Sequence, residues 1–296
     1  MMSRRQFFGV FGTGLVYTWV PRVSAAAPAS KPVRRRTRPQ RVLTTIAYNV
    51  LQCTGWPPEL AANRLGDVGT QIPERLALEL AIYHPDIISF SEAPTERVVR
   101  RLAERLGMSY AFFRSGENWP GAILTTLDIL EHRNCPLVKG RRPKTLFTRH
   151  WGRATLRTQG PFGDLIVHSA HLHPSRSDIR KPESLEIIKA IAPDIQAGRS
   201  VILQGDLNHS VRMSSYKRWV DAGLIDTQAA AGNAEQPTIK ADKPRTRIDY
   251  IFAAGPIATH LKDARPLFEG AFRTNPDDPG SFALSDHLPV MARFDR

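Results

Sequence analysis

Short apolar runs that end on a polar residue recur along this chain, separated by stretches with helical period. Residues 42–50 are rich in β-branched and aromatic side chains and predict a buried strand with Asn49 near its end. From Pro73 the period changes. Leu76, Leu80 and Tyr83 share a stripe, which predicts a helix begun by Pro73 and ended by Pro85 after a glycine- and proline-bearing loop. Residues 86–92 form a second apolar run closing on Glu92, followed by a predicted helix over 96–106. Short strands are expected over 108–114 and 121–126, and a hairpin over 148–158 and 163–169. A helix over 180–197, with Leu185, Ile188, Ile191, Ala192 and Ile195 as its buried stripe, delivers the chain to the strand-like run 201–203. Beyond it the pattern predicts a short helix over 216–222, a flexible polar loop over 229–243, and strands over 246–252 and 284–294.

The polar groups at these strand ends are the candidate chemistry. Gly205-Asp-Leu-Asn208 sets Asp206 and Asn208 two residues apart, so in extended backbone they share a face. The same four residues are also good turn chemistry. Glu92 could be a solvated acid or a metal ligand, and Asn49 could bond to a neighbouring backbone group or help to hold a cation. Asp249 sits amid apolar neighbours and needs a hydrogen-bonding or cationic partner. Histidines at 168, 171 and 173 could bind zinc, but no cysteine or second histidine cluster completes a ligand set and oxygen ligands dominate the chain. His171 is the one assigned a chemical role, and His168 and His173 are read as structural or surface residues. Asp286 and His287 stand at the mouth of the terminal strand.

Composition changes this picture little, except at the N-terminus. The 296 residues, 42% hydrophobic and 23% charged, suit a soluble globular protein. The net charge of +13 invites a polyanion-binding reading, but nine of the 41 basic residues lie in the first 41 positions, where no acidic residue occurs. The remaining 32 basic residues stand against 28 acidic ones, so the body is only mildly basic. Ser3-Arg-Arg-Gln-Phe-Phe8 resembles a twin-arginine export signal, with an apolar run over 7–20 and a small-residue cleavage site at Val23-Ser-Ala25-Ala26. Residues 1–25 are therefore read as a signal peptide and 26–41 as a disordered basic, proline-rich linker, with an uncleaved anchor as the alternative. An exported, periplasmic or secreted protein with no stable membrane span after cleavage is expected. Cys53 and Cys135 sit in no metal-type spacing and are either paired or free.

Six segments in order, Ala47-Tyr-Asn-Val50, Asp86-Ile-Ile-Ser-Phe-Ser-Glu92, Ser169-Ala-His-Leu172, Gly205-Asp-Leu-Asn208, Arg247-Ile-Asp-Tyr250 and Ser285-Asp-His-Leu288, resemble the motifs of the endonuclease/exonuclease/phosphatase superfamily, the deoxyribonuclease I-like fold. The resemblance covers residues 42–296, which it implies are one domain. One departure is Ser91, where that family commonly carries Gln before the metal-binding Glu. The implied fold is α+β, a four-layer α/β/β/α sandwich of two mixed sheets packed face to face with helices outside. The implied function is metal-dependent hydrolysis of phosphate esters, with phosphodiesters and a nuclease-like activity foremost. Implied roles are Asn49, Glu92 and Asp286 at Mg²⁺ (or Mn²⁺), Asp206 positioning or activating water, Asn208 and His171 stabilising the phosphorus centre, and Asp249 orienting His287. The implied partner is a phosphate-ester substrate, nucleic acid among the candidates, acted on by a monomer. For nucleic acid, Arg114, Trp119, Arg141, Arg142, Lys144, Arg149 and Trp151 are candidate groove residues. For a lipid or inositol-phosphate substrate, Trp56-Pro-Pro and residues 268–272 are the candidate apolar loops. A noncatalytic binding protein that keeps the fold is the remaining alternative.

Overall fold

A computed structural model describes residues 42–66, 68–136 and 145–296. The signal and linker readings, and Arg141, Arg142 and Lys144, lie outside the described residues. Twelve strands among these residues fall into two mixed six-stranded sheets. The first contains β1 (Val42–Asn49), β2 (Ile87–Ser91), β3 (Ser109–Phe113), β4 (Gly121–Thr125), β11 (Leu261–Pro266) and β12 (Val290–Asp295), in the order β11-β12-β1-β2-β4-β3. The second contains β5 (Asp128–Asn134), β6 (Trp151–Arg157), β7 (Leu165–Ala170), β8 (Ser200–Asp206), β9 (Ile225–Asp226) and β10 (Asp249–Ala254), in the order β5-β6-β7-β8-β10-β9. Strand pairs β1–β2 and β7–β8 are parallel, and the other pairs are antiparallel.

Alternation of side chains sorts each strand between two cores. Leu43 and Ala47 of β1 meet Val167, Ile202 and Ile251 between the sheets. Ile46 and Tyr48 face the opposite way, onto α1 (Pro58–Leu65), α2 (Val68–Ala81) and α3 (Glu96–Leu106) through Ala61, Ile72, Leu76 and Leu102. Beyond the second sheet, Val201, Leu203 and Phe252 pack against α4 (Ser177–Gln196) and α5 (Ser214–Asp221) through Ile187, Ile191 and Trp219. The result is helix, sheet, sheet, helix, as the resemblance implies. Of two further one-turn helices, α6 (Thr227–Ala230) connects β9 to β10 within the second sheet and α7 (Pro256–Thr259) leads from β10 to β11 of the first.

Several expectations need correcting. The helix expected to start at Pro73 begins at Val68 and carries Pro73 inside it, and the loop before it contains α1, which takes Pro58 as its first residue. Leu185 is 46% exposed, because α4 turns Arg180, Glu183, Ser184, Ile187 and Ile191 inward instead. The stretch 229–243 is not a solvated loop, since Thr238 and Ala241 are fully buried. Trp151 and Phe272 are buried as well, which removes one as a stacking platform and the other from an exposed apolar loop. Both cysteines are free. No helix among the described residues is long and apolar enough to cross a membrane.

Candidate active site

The inward-facing positions of the central strands carry the polar residues to a common end of the sandwich. Asn49 continues the series Leu43, Thr45, Ala47, and Asp206 continues Ile202 and Gln204. Asp249 opens β10 in antiparallel register with Asp206, so the pairing itself sets two buried carboxylates side by side. Gly205 makes this possible. Its φ is +136°, and a Cβ there would lie 2.1 Å from the Ala170 carbonyl oxygen on the neighbouring strand.

At the centre, Asn49 Nδ2 donates to Asp206 Oδ2 at 3.1 Å and to Glu92 Oε1 at 3.2 Å, and lies 3.5 Å from His287 Nε2. His287 Nδ1 donates to Asp249 Oδ2 at 2.9 Å, and that same oxygen accepts from Thr238 Oγ1 at 2.6 Å. Asp206 Oδ2 is 3.5 Å from His171 Nε2 and 3.8 Å from His287 Nε2. Asp206 Oδ1 accepts from the Asn208 backbone N–H at 3.0 Å, while Asn208 Nδ2 donates to the Leu172 carbonyl at 2.9 Å. Glu92 and Asn208 both have left-handed backbone, φ +49° and +52°, a conformation uncommon outside glycine that aims each side chain out of the strand direction.

Seven of the eight residues singled out from the sequence are thus joined by contacts of 3.8 Å or less. Asp286 is the exception: its carboxylate lies near Ser285 Oγ at 3.4 Å, and it reaches Glu92 and His287 only through longer-range charge. Sequence reasoning missed Thr238, Ser285 and Glu183. Ser285 Oγ donates to the Asn49 carbonyl at 2.7 Å and ties β12's approach to the end of β1. Glu183, fully buried, accepts from the backbone N–H of Phe147 at 2.7 Å and of His173 at 2.9 Å, bracing the two loops that flank His171. No sequence signal marks Thr238, Ser285 opens one of the six motifs without an assigned role, and a glutamate among inward-facing helix positions could have marked Glu183.

The electrostatics follow from burial in a crowd of carboxylates. Desolvation raises the proton affinity of Asp206, the charge on Asp249 adds to it, and His287 acts in the opposite sense. Desolvation likewise raises Glu92, partly offset by the Asn49 amide. For His287 burial works against the charged form, yet Asp249, Asp206 and Asp286 outweigh it and carry the imidazolium to about 10. His171 moves the other way, favoured as the neutral form first by burial, with its neighbours His150 and Arg149 acting in the same sense. Arg149 stacks over Trp119 at 5.3 Å and pairs with Glu117 at 3.4 Å.

This donor set fits a hard divalent cation. Asp206 and Asp249 lie side by side, Glu92 meets Asp206 through the Asn49 amide, and Asp249 Oδ1 is buried with no hydrogen-bond partner. Oxygen donors of this kind match Mg²⁺ or Mn²⁺ better than a thiophilic metal.

A model of the Endonuclease/Exonuclease/phosphatase family matches residues 46–287. No curated protein matches the sequence. Among solved structures, an endonuclease/exonuclease/phosphatase family protein from Bacteroides thetaiotaomicron is similar with a TM-score of 0.67 and 19% identity, over 86% of this chain and 98% of that one. A truncated TDP2 from Caenorhabditis elegans is similar with a TM-score of 0.63 and 18% identity, over 86% and 98%. A mannosyl-6-phosphatase from Bacteroides thetaiotaomicron gives 0.65 and 19%, over 84% and 98%.

Proposed function

The chain belongs to the endonuclease/exonuclease/phosphatase family, and from that premise we propose that it hydrolyses phosphate esters with Mg²⁺ or Mn²⁺, nuclease-like on phosphodiesters, by in-line attack of water. The observation that carries this reading is the convergence of Asn49, Asp206, Asp249 and His287, all buried and drawn from both sheets, with the half-buried Glu92 into one hydrogen-bonded group.

In this proposal Glu92 and Asn49, with Asp286 close by, hold the cation. When bound it neutralises charge on the phosphoryl oxygens. Asp206, whose carboxylate has a raised proton affinity, orients the attacking water and takes its proton. His171 is neutral and keeps an N–H for a phosphoryl oxygen, and Asn208 retains a second amide N–H beyond the one given to Leu172. His287, charged and fixed by Asp249, opposes the negative charge that builds on phosphorus and can pass a proton to the leaving oxygen. Arg149 adds positive charge at the rim.

The family includes neighbours of differing specificity, TDP2 and a mannosyl-6-phosphatase among them, so the alcohol is to be found by assay. A lipid substrate is less well supported now that Phe272 is buried. The test is hydrolysis of bis-p-nitrophenyl phosphate by purified protein with Mg²⁺ or Mn²⁺, with EDTA and Asp206→Ala as controls. The expected result is metal-dependent turnover, lost in the variant and lowered ~100-fold or more by Asp249→Asn or His287→Ala. Turnover that ignores EDTA or Asp206→Ala rejects the assigned site, and no turnover on this or on natural phosphate esters favours the binding-protein alternative.

A further inference from the structure

The reagents are split between the sheets. Asn49 and Glu92 close strands of the first, while Asp206 and Asp249 belong to the second. Their spacing therefore depends on how the inner faces meet directly beneath them. Most of that interface is apolar, and apolar contact resists separation far better than it resists sliding, because it is non-directional.

One to two inward-facing positions below the site the apolar surface is interrupted by three polar side chains, all fully buried. Thr45 Oγ1 on β1 donates to Gln204 Oε1 on β8 at 2.7 Å, and Gln204 Nε2 donates to Ser89 Oγ on β2, also at 2.7 Å. Both polar ends of the Gln204 amide are thereby engaged by adjacent parallel strands of the opposite sheet. Each anchor precedes a site residue on its own strand: Thr45 four residues before Asn49, Ser89 three before Glu92, Gln204 two before Asp206. Nearer the site, the Asp206 backbone N–H points at Ser91 Oγ, 3.4 Å away, where the family commonly carries the longer Gln. A buried amide adds little net stability over an apolar side chain of similar size, but its bonds have direction and admit one register.

We propose that Gln204 is a positioning residue, a cross-sheet amide bridge to Thr45 and Ser89 that sets the distance between the Asn49–Glu92 and Asp206–Asp249 halves of the site. This rests on the hydrolytic reading above. Displacing reacting groups by about 1 Å can lower a rate by roughly 100-fold, so the bridge acts on turnover more than on folding.

The test compares Thr45→Val, nearly isosteric but without the hydroxyl, with Thr45→Ser, which keeps it, and with Gln204→Leu. Kinetics on bis-p-nitrophenyl phosphate with Mn²⁺ are read beside thermal melting and the Mn²⁺ affinity measured by electron paramagnetic resonance of the free ion. Expected are a kcat lowered at least ~10-fold in Thr45→Val and Gln204→Leu, near wild-type kcat in Thr45→Ser, weaker Mn²⁺ binding in the two damaged variants, and melting midpoints lowered by a few degrees in those two, since each leaves a buried polar partner unpaired. Should Gln204→Leu fail to fold, the Val and Ser pair at 45 decides alone. Full kcat in folded Thr45→Val, or a loss matched by Thr45→Ser, overturns the bridge. An inactive wild type, or one indifferent to Asp206→Ala, instead overturns the hydrolytic reading on which the bridge rests.

Discussion

Asp249 gives one oxygen to both His287 and Thr238 and leaves the other buried and unbonded, so the environment of a single carboxylate explains much of the local electrostatics. It lifts His287 toward the charged form and raises its neighbour Asp206. Histidines away from that carboxylate behave in the opposite way. His168 accepts a hydrogen bond from Trp151 Nε1 at 3.1 Å and His209 one from Trp219 Nε1 at 2.9 Å, and burial pushes each down to about 3. The native state therefore refuses protons that the unfolded chain accepts below about 6.5. Their contribution to stability is complete above that pH and is lost as pH falls toward 3, at about 1.4 kcal/mol per pH unit for each histidine. Chemical denaturation between pH 7 and 4 should show His168→Asn, which can still accept from Trp151, with a shallower pH dependence by one proton. An unchanged slope would mean that His168 already carries its proton in the fold.

At the scale of elements, the strand ends are what the site is made of, and the end of β8, at Gly205, is tightly constrained. Gly205→Ala must move a Cβ away from the Ala170 carbonyl and abandon φ +136°. A loss of ~3 kcal/mol or more is expected by urea denaturation, with β7 and β8 separating locally. Inner strands were legible in the sequence because both faces are buried and apolar runs such as 42–50 and 86–92 have no other use. Edge strand β5, with charged residues and mostly exposed positions, carries no such signature, and β9 is two residues long. The inward face of α4 was misread because Arg180 and Glu183 hold loop backbone rather than packing as hydrophobes, a use of polar side chains that periodicity does not reveal. Asn49, Glu92, Asp206, Asp249 and His287 were legible as a set through their motifs. Thr238 was not, because a threonine in a polar stretch looks like any turn residue until its hydroxyl is seen on Asp249.

At the scale of the whole molecule, the family match spans residues 46–287 and the two-sheet sandwich is built from the described residues from Val42 onward, and the remaining proposal concerns delivery. A leader at 1–25, a linker at 26–41 and an exported monomeric enzyme form one scheme, for which a mature N-terminus at Ala26 is expected by mass spectrometry of the protein recovered outside the cytoplasm. Recovery of the full-length chain only from the cytoplasm would reject it, and changing Arg4 and Arg5 to Lys should abolish export if the twin-arginine reading is right. The division of the reagents across the sheets reaches beyond mechanism. Residue 49 and residue 287 bracket nearly the entire domain, so a polypeptide severed anywhere between them leaves each fragment with an incomplete kit. On the proposed hydrolytic reading, neither a half-synthesised chain nor a separated fragment would cut phosphate esters, and hydrolysis would report, molecule by molecule, that both walls of the sandwich have met.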